Sequence, residues 1–219
     1  MNDQLIFKFP SNKKYHLDDF YVSTSNKEAF DFVNKWPNWI KRIVNIYGPA
    51  RSGKTHLTEI LKTKTSTLIV PSNKLNEQTF FKFKTKEALV IEDLNKNTSE
   101  EILFSLWNAA IQDNKYILIT SYKPISFLKF KLLDLKSRVK SSLFIGIELP
   151  NDDLISVILT KNFSDRQIDV EKKHIDYIIK RIDRSYEKIS QFILILDKYS
   201  LKSGSAFNFK LIKEVLKMI

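Results

Sequence analysis

Residues 48–55 read Gly-Pro-Ala-Arg-Ser-Gly-Lys-Thr, and this octapeptide constrains the fold more than any other part of the chain. The spacing G-x-x-x-x-G-K-T lets the backbone turn tightly and bring several N–H groups close to one anion. Lys54 adds a positive charge for the outer phosphates of a nucleotide, and Thr55 adds a hydroxyl for Mg²⁺. We therefore predict that this loop binds ATP or ADP together with Mg²⁺. The predicted nucleotide-binding residues here are Gly48, Pro49, Ala50, Arg51, Ser52, Gly53, Lys54, Thr55 and His56.

The segments on both sides of the loop have the patterns that phosphate binding requires. Ile43–Tyr47 is rich in β-branched and aromatic residues, as expected of a buried strand. After the loop, Leu57, Ile60 and Leu61 recur at helical spacing. The first turn of such a helix directs its partial positive charge at the anion. A glycine-containing turn with an incidental lysine is the alternative, and the strand–loop–helix context argues against it.

The composition excludes several classes of protein. The 219 residues suit one domain, or one domain with a small appendage. The chain has no cysteine, which excludes disulfides, thiolate zinc sites and a cysteine nucleophile, and its three histidines show no metal-ligand spacing. The first residues lack the basic and apolar regions of a signal peptide, and no apolar run is long enough to cross a bilayer. We expect a cytoplasmic protein without a membrane partner.

The formal net charge of +11 is a property shared with many nucleic-acid-binding proteins. Lysine far outnumbers arginine, and the lysines are spread along the chain rather than clustered. No basic run is interleaved with aromatic residues in the manner of a platform for single strands. We therefore expect weak, non-specific attraction to DNA. Specific reading of DNA is the alternative.

Short apolar segments alternate with helical segments through the first 150 residues. The predicted strands are Ile43–Tyr47, Ser66–Val70, Ala88–Ile91, Tyr116–Thr120 and Leu143–Ile147. Capping boxes at residues 25–28 and 98–101 predict the starts of two helices, and a short helix is predicted near residues 73–81. Five strands that alternate with helices indicate a parallel α/β sheet.

After Pro150 every periodic segment is helical. One helix begins at residues 151–153, a second is predicted over residues 170–181 with Asp169 as its cap, and a third runs from about Ser185 to Tyr199. Gly204 and Ser205 predict a turn, and Asn208 a cap for the last helix. The predicted organisation is an N-terminal segment over residues 1–12, an α/β core over 13–150 and a helical lid over 151–219.

Two further strand ends carry polar residues suited to nucleotide chemistry. The apolar segment 88–91 is followed by Glu92 and Asp93. A carboxylate there can hold the water shell of Mg²⁺, and the next acid can orient an attacking water. The next strand ends at Thr120, which we predict to contact the γ-phosphate or its water. Solvated polar strand ends without catalytic roles are the alternative.

Arginine is rare in this chain, so its positions are informative. Arg138 lies before the last predicted strand, where it would project from the edge of the core. Arg181 and Arg184 are predicted to start the third helix of the lid, from which they could reach over the nucleotide. A planar guanidinium suits phosphate oxygens better than an ammonium does. Surface ion pairs are the alternative.

Together these motifs resemble the AAA+ ATPases of the DnaA/Hda family, along nearly the whole chain. The likeness includes the segment beside the adenine, the phosphate loop, a sensor I strand, an L-x-S-R element and the start of a sensor II helix. These segments are residues 19–26, 48–57, 118–124, 135–138 and 181–184. The resemblance implies a three-layer AAA+ core with a lid, Arg138 as an arginine finger and Arg184 as the sensor arginine. Glu92 departs from the family, where an aspartate is usual, and so do Tyr122 and Lys123.

Within that family the chain is more similar to the Hda branch. It ends where the AAA+ module of the family ends, so no helix–turn–helix DNA-binding domain is expected. Its first residues also resemble a short motif that docks onto the DNA polymerase III β sliding clamp. A glutamine amide would bind a polar subsite, and three apolar side chains would fill a groove. The residues of this predicted clamp-binding motif are Gln4, Leu5, Phe7 and Phe9. A fraying terminus is the alternative.

The resemblance implies a negative regulator of replication initiation that binds an adenine nucleotide and the sliding clamp. It would stimulate hydrolysis of ATP bound to the DnaA initiator, with Arg138 supplied in trans. Hydrolysis would then occur in the partner rather than in this chain, and nucleotide-dependent self-association is also expected. Two alternatives stay open. One is a helicase-loader-like ATPase that uses Glu92 and Asp93 for its own turnover. The other is a nucleotide-dependent DNA-binding adaptor.

Overall fold

The computed structural model describes residues 19–166, 168, 170–203 and 209–219. The predicted clamp-binding residues Gln4, Leu5, Phe7 and Phe9 lie outside the described residues, as do the predicted cap and turn residues Asp169, Gly204, Ser205 and Asn208.

A parallel sheet of five strands forms the centre of the first part of the chain. Its strands are β1 (Ile43–Tyr47), β2 (Thr67–Pro71), β3 (Ala88–Glu92), β4 (Tyr116–Ser121) and β5 (Leu143–Gly146). They are arranged in the order β2-β3-β4-β1-β5, and every neighbouring pair is parallel. The predicted sheet is therefore confirmed, and each strand lies within one residue of its predicted bounds. The carboxyl ends of all five strands meet at one edge, where β1 leads into the phosphate loop.

Helices connect the strands and then form the C-terminal part. They are α1 (Lys27–Asn34), α2 (Lys54–Lys64), α3 (Glu77–Lys84), α4 (Glu100–Gln112), α5 (Leu133–Lys140), α6 (Asp152–Ser164), α7 (Lys172–Ile179), α8 (Tyr186–Ser203) and α9 (Phe209–Leu216). Short 3₁₀ turns occur at Ser72–Lys74 and Ile125–Phe127. No helix in the described ranges is both long and apolar enough to cross a membrane.

Two helices start one residue later than the capping patterns predict. The cap of α1 is Asn26 instead of Ser25, whose hydroxyl lies 2.7 Å from that of Ser23. The cap of α4 is Ser99 instead of Thr98, and its hydroxyl accepts a hydrogen bond from the N–H of Ile102 at 3.3 Å. Adjacent polar residues offer the same capping chemistry, so the local pattern does not distinguish the registers.

The helix predicted near residues 73–81 is also displaced. A 3₁₀ turn occupies the first part, and α3 begins only at Glu77. Asn76 caps it by accepting a hydrogen bond from the N–H of Thr79 at 3.1 Å, and the Thr79 hydroxyl accepts one from the N–H of Asn76 at 3.2 Å. This reciprocal pair is a capping box in which asparagine and threonine take the usual roles.

Helices cover both faces of the sheet, which gives the predicted three layers. Alternate strand residues point to opposite faces, because successive side chains in a strand alternate. Leu89 and Ile91 pack on one side with Trp107 of α4. Val90 packs on the other side with Leu57 of α2.

The helical lid has a hydrophobic cluster of its own, built from α6, α7, α8 and α9 around Phe163 and Phe192. Polar contacts attach it to the sheet part. The Tyr186 hydroxyl donates to the carbonyl oxygen of Glu148 at 3.2 Å. The observed α/β class and helical lid agree with the sequence, whereas the exact domain boundaries at residues 12 and 150 stay predictions.

Candidate nucleotide-binding site

The phosphate loop joins the carboxyl end of β1 to the first turn of α2. Its two glycines are required by the geometry. Gly53 has a φ of +94°, and a Cβ at this position would lie 2.9 Å from Cε2 of Phe20. A Cβ on Gly48 would lie 2.8 Å from the carbonyl oxygen of Ile147. Other residues would therefore strain the loop or push its neighbours away.

Lys54 is folded over this loop. Its ammonium donates hydrogen bonds to the carbonyl oxygens of Gly48 at 2.8 Å and Pro49 at 2.7 Å. The side chain is buried, and this burial lowers the pKa of Lys54, while the nearby charge of Asp93 opposes the shift. A buried cation is stabilised by any anion within its reach. The position therefore suits a phosphate oxygen.

Ser52 supplies a further test of whether the loop fits a polyanion. Its hydroxyl is buried, and it has no hydrogen-bond partner among the described residues. A buried donor without a partner usually indicates a ligand, ion or water at that place. Arg51 is exposed beside it, with an unusual φ of +65°. The buried ammonium, the free hydroxyl and the first turn of α2 together fit a nucleotide phosphate.

The acidic end of β3 lies against α2. The Thr58 hydroxyl is within hydrogen-bonding distance of the Glu92 carboxylate at 3.2 Å and of the Thr55 carbonyl oxygen at 2.9 Å. This contact places the Glu92 carboxylate beside the start of α2, the helix that carries Thr55. One hydroxyl and one carboxylate would hold the ion together with phosphate oxygens and water, as is usual for Mg²⁺.

Asp93 and Thr120 are also brought together. Asp93 is exposed with a φ of +52°. Its N–H donates to the Thr120 hydroxyl at 3.0 Å, and the N–H of Leu94 donates to the Thr120 carbonyl oxygen at 2.8 Å. Thr120 is buried, so it anchors the turn that carries Asp93. Its predicted contact with the γ-phosphate stays a prediction.

A cleft of about 550 Å³ lies between the phosphate loop and the lid. Aromatic residues form one wall. Phe20 stacks on Phe30 with ring centroids 5.3 Å apart, and His56 meets Phe20 edge-on at 5.2 Å. Asn26 holds this wall in place by donating to the Tyr21 carbonyl oxygen at 2.9 Å. The lining also contains charged and amide side chains, and a cleft of mixed aromatic and polar character next to a phosphate loop suits a nucleotide.

The opposite wall comes from the lid, and our sequence reasoning did not identify it. Its residues are Leu154, Val157, Ile158, Lys161, Asn162, Asp165, Tyr186, Ile189 and Ser190. The lining residues of α6 recur at helical spacing, and this periodicity is the sequence pattern from which they could have been predicted. Lys161 also forms an ion pair with Asp19 at 2.6 Å, and this pair connects the two walls.

Arg51 lines this cleft, whereas Arg138, Arg181 and Arg184 are not among its lining residues. Arg184 binds the carboxylate of Asp152 through two hydrogen bonds of 2.9 and 3.2 Å. Both side chains are largely exposed, and Arg184 is not among the residues that line the cleft. The guanidinium of Arg181 lies 3.6 Å from the centroid of the Tyr177 ring. Neither residue starts a helix, because α8 begins at Tyr186.

Arg138 lies on α5, outside the cleft. Its guanidinium carbon is 5.3 Å from the centroid of the Phe104 ring on α4, a distance at which a cation is attracted to the ring face. The side chain is half-buried. Arg138 therefore has no place in the chain's own cleft, which is compatible with the predicted role in a partner's site.

The chain is similar in sequence to known proteins. No protein-family model matches the chain. The chain is 27% identical over 240 residues to the chromosomal replication initiator protein DnaA of Borreliella afzelii, covering 97% of this chain and 50% of that protein. DnaA of Borrelia duttonii is 27% identical over 234 residues, covering 93% and 48%. The chain thus spans about half the length of the curated relatives it matches.

Solved structures show the same architecture. Domain III of the replication initiation protein DnaA from Thermotoga maritima superposes with a TM-score of 0.75 at 19% identity, covering 95% of this chain and 98% of that one. AMPPCP-bound DnaA from Aquifex aeolicus gives 0.70 at 20% identity, covering 85% and 66%. A RuvB variant from T. maritima gives 0.71 at 15% identity, covering 94% and 72%.

The curated relatives reported above are named DnaA. The proposed Hda branch is therefore finer than these comparisons support. At the coarser level, the sheet order, the helical lid and the sequence similarity all indicate a likeness to DnaA. The chain accordingly has the AAA+ fold and is similar in sequence to DnaA proteins and in fold to domain III of DnaA.

Proposed function

We propose that this protein is a nucleotide-binding regulator of replication initiation that stimulates hydrolysis of ATP bound to a DnaA-type initiator. Relatedness to DnaA supports a role in initiation. The position of Arg138 supports the proposed stimulation of a partner. Its guanidinium packs on Phe104, outside the chain's own cleft. A finger that serves a partner must project from a surface away from the nucleotide that its own chain holds.

Binding of the adenine nucleotide is assigned to the loop and the cleft. The Lys54 ammonium and the Ser52 hydroxyl would receive phosphate oxygens, and the aromatic wall around Phe20 would face the base. Thr55 and Glu92 would hold Mg²⁺, which draws charge from phosphate oxygens when it is bound. AMPPCP bound to DnaA of A. aeolicus is a precedent in a relative.

The partner's reaction would depend on Arg138. Charge builds up on the γ-phosphate oxygens during hydrolysis, and a planar guanidinium can donate two hydrogen bonds to them. Supplied in trans, such a group is worth roughly 10³–10⁵ in rate. The cation–π contact with Phe104 limits the positions of the side chain before the partner arrives. The predicted N-terminal motif Gln4, Leu5, Phe7 and Phe9 would bring the protein to the DNA polymerase III β sliding clamp on DNA.

The test measures phosphate release from ATP-loaded initiator with this protein and DNA-loaded clamp, and then with each one omitted. We expect hydrolysis to require both. Arg138→Ala should abolish the stimulation, and Arg138→Lys should restore little of it, because an ammonium is not a planar fork. Phosphate release that is indifferent to this protein would rule out the proposal.

Arg42 provides a matched control for this experiment. Its guanidinium lies 5.3 Å from the Tyr116 ring, the same distance as that of Arg138 from Phe104. It also donates to the Asn114 carbonyl oxygen at 2.7 Å, so it is a structural contact at the start of the sheet. Arg42→Ala should retain stimulation. Equal loss in both variants would mean that Arg138 acts through stability rather than as a finger.

A second candidate function rests on the acidic end of β3. Glu92 faces α2 and Asp93 is exposed beside it, so the chain carries carboxylates that could serve hydrolysis of its own ATP, as in a helicase-loader-like ATPase. Turnover by the protein alone that Glu92→Gln and Asp93→Asn abolish would favour this function. Turnover at background level would favour the regulator.

A further inference from the structure

Thr58 is a buried hydroxyl residue that no part of the proposed function uses. It lies one turn after Lys54 on α2 and has no exposed surface. Its hydroxyl oxygen is 2.9 Å from the carbonyl oxygen of Thr55 and 3.2 Å from Oε1 of Glu92. A helical threonine commonly bonds back to its own helix. The unusual feature of Thr58 is that its hydroxyl also approaches the Glu92 carboxylate, which belongs to β3.

The position of Thr58 matters because Glu92 is longer than the aspartate that the resemblance to the DnaA/Hda family leads us to expect at this place. The additional methylene gives the carboxylate more rotamers and a wider range of positions. The Thr58 hydroxyl has one proton, which is shared between the Thr55 carbonyl oxygen at 2.9 Å and the Glu92 carboxylate at 3.2 Å, and the charge of the carboxylate favours the second acceptor. The bond from Thr58 therefore selects those rotamers of Glu92 that keep the carboxylate against the first turn of α2, where Thr55 lies.

We propose that Thr58 is a positioning residue of the Mg²⁺ site, whose hydroxyl orients the Glu92 carboxylate toward the ion bound at Thr55. The proposal rests on nucleotide–Mg²⁺ binding by this chain, as argued above. It explains how a glutamate can serve where aspartate is usual. Residues that orient a metal ligand in this way typically change metal affinity roughly 10- to 100-fold when they are lost.

The experiment compares the affinity of the full-length protein for ADP in millimolar Mg²⁺ and in EDTA by isothermal titration calorimetry. The ratio of the two dissociation constants is the Mg²⁺ enhancement. Thr58→Val keeps the shape of the side chain and removes the hydroxyl. We expect the enhancement to fall about 10-fold or more, with Mg²⁺-free affinity nearly unchanged. Thr58→Ser retains the hydroxyl and should retain the enhancement.

Thr63 provides the matched control on the same helix. Its hydroxyl donates a hydrogen bond to the carbonyl oxygen of Ile60, three residues earlier, at 2.7 Å. The hydroxyl of Thr58 makes the same kind of bond to the carbonyl oxygen of Thr55. Thr63 does not belong to the proposed site. Thr63→Val should therefore leave both affinities unchanged.

A double-mutant cycle tests whether Thr58 acts through the carboxylate. Once Glu92→Ala has removed that group, Thr58→Val should have no further effect on the Mg²⁺ enhancement. Additive losses would contradict a positioning role. Melting temperatures of all variants check folding, and Thr58→Ala replaces Thr58→Val if burial of the extra methyl group prevents folding.

Full Mg²⁺ enhancement in a folded Thr58→Val protein would overturn the inference and leave Thr58 as a core hydroxyl bonded to its own helix. Wild-type protein that binds ADP without any Mg²⁺ enhancement would overturn it as well, while nucleotide binding stands. Wild-type protein that binds neither ADP nor ATP would refute nucleotide binding itself. The three results are distinguishable in one set of titrations.

Discussion

Gly53→Ala is expected to destabilise the nucleotide-free protein through the backbone of the phosphate loop. Residue 53 has a φ of +94°, and the new Cβ would lie 2.9 Å from the Phe20 ring. The left-handed backbone costs an L residue roughly 1–2 kcal/mol. Moving Phe20 off Phe30 disturbs an aromatic pair worth about 0.5–1.5 kcal/mol. Alanine recovers about 0.4–1 kcal/mol by restricting the unfolded chain. The expected net loss in the free energy of unfolding is roughly 0.5–3 kcal/mol.

Arg51→Gly is the reciprocal variant in the same loop. Arg51 has a φ of +65°, so removal of its Cβ relieves the same kind of strain. The relief of roughly 1–2 kcal/mol exceeds the added freedom of the unfolded chain, about 0.4–1 kcal/mol. We expect this variant to be roughly 0–1.5 kcal/mol more stable than wild type.

Urea denaturation followed by circular dichroism measures both changes, and thermal melting should show about 2–4 °C for each kcal/mol. The two variants should shift in opposite directions. An unchanged Gly53→Ala protein, or a loss of stability in both variants, would refute the argument that backbone conformation selects glycine at this position.

Three further outcomes follow from the same structure. Burial lowers the pKa of Lys54 in the folded protein below its ordinary value of 10.5, which applies to the unfolded chain. Between the folded and unfolded pKa values the unfolded chain binds more protons, so the free energy of unfolding rises with pH in that window. The stability of wild type relative to Lys54→Met, from denaturation at a series of pH values, should therefore increase toward pH 10.5, and a flat difference would contradict this. Asn45 is buried and forms hydrogen bonds with Ile119, Ser121 and Ile125. Asn45→Val should lower the free energy of unfolding by at least about 1–3 kcal/mol, because these three groups lose their partner. A urea denaturation midpoint equal to that of wild type would refute this prediction. Phe192→Ala in the lid should cost about 3–5 kcal/mol, whereas exposed Leu194→Ala should stay within about 0.5 kcal/mol, as calorimetric melting of both can check.

The phosphate loop and the sheet could be predicted because they depend on local patterns. Gly48 and Gly53 are dictated by close approach and a positive φ, so the motif itself specifies the loop. Strands of branched residues that alternate with helices allow few arrangements other than a parallel sheet. The helix starts were off by a residue, because neighbouring polar residues such as Thr98 and Ser99 cap equally well.

The sequence did not predict which side chains far apart in the chain contact each other. It singled out Arg184 for the nucleotide, but the fold pairs this side chain with Asp152 at the start of α6. It treated Asn45 as part of an apolar strand, whereas the side chain joins β1 to the end of β4. In each case the partner is chosen by which helices and strands pack side by side, and no local pattern reports that.

The sequence by itself determined that this chain presents a phosphate loop, an acidic strand end and a helical C-terminal part. Those features follow from glycine conformation, side-chain periodicity and charge within a few consecutive residues. Only the tertiary structure decided that α6 closes the cleft, that Arg138 rests outside it on Phe104, and that Thr58 meets Glu92. These contacts join residues distant in sequence, and they exist because burial of the apolar faces of sheet and helices places their polar side chains within hydrogen-bonding distance.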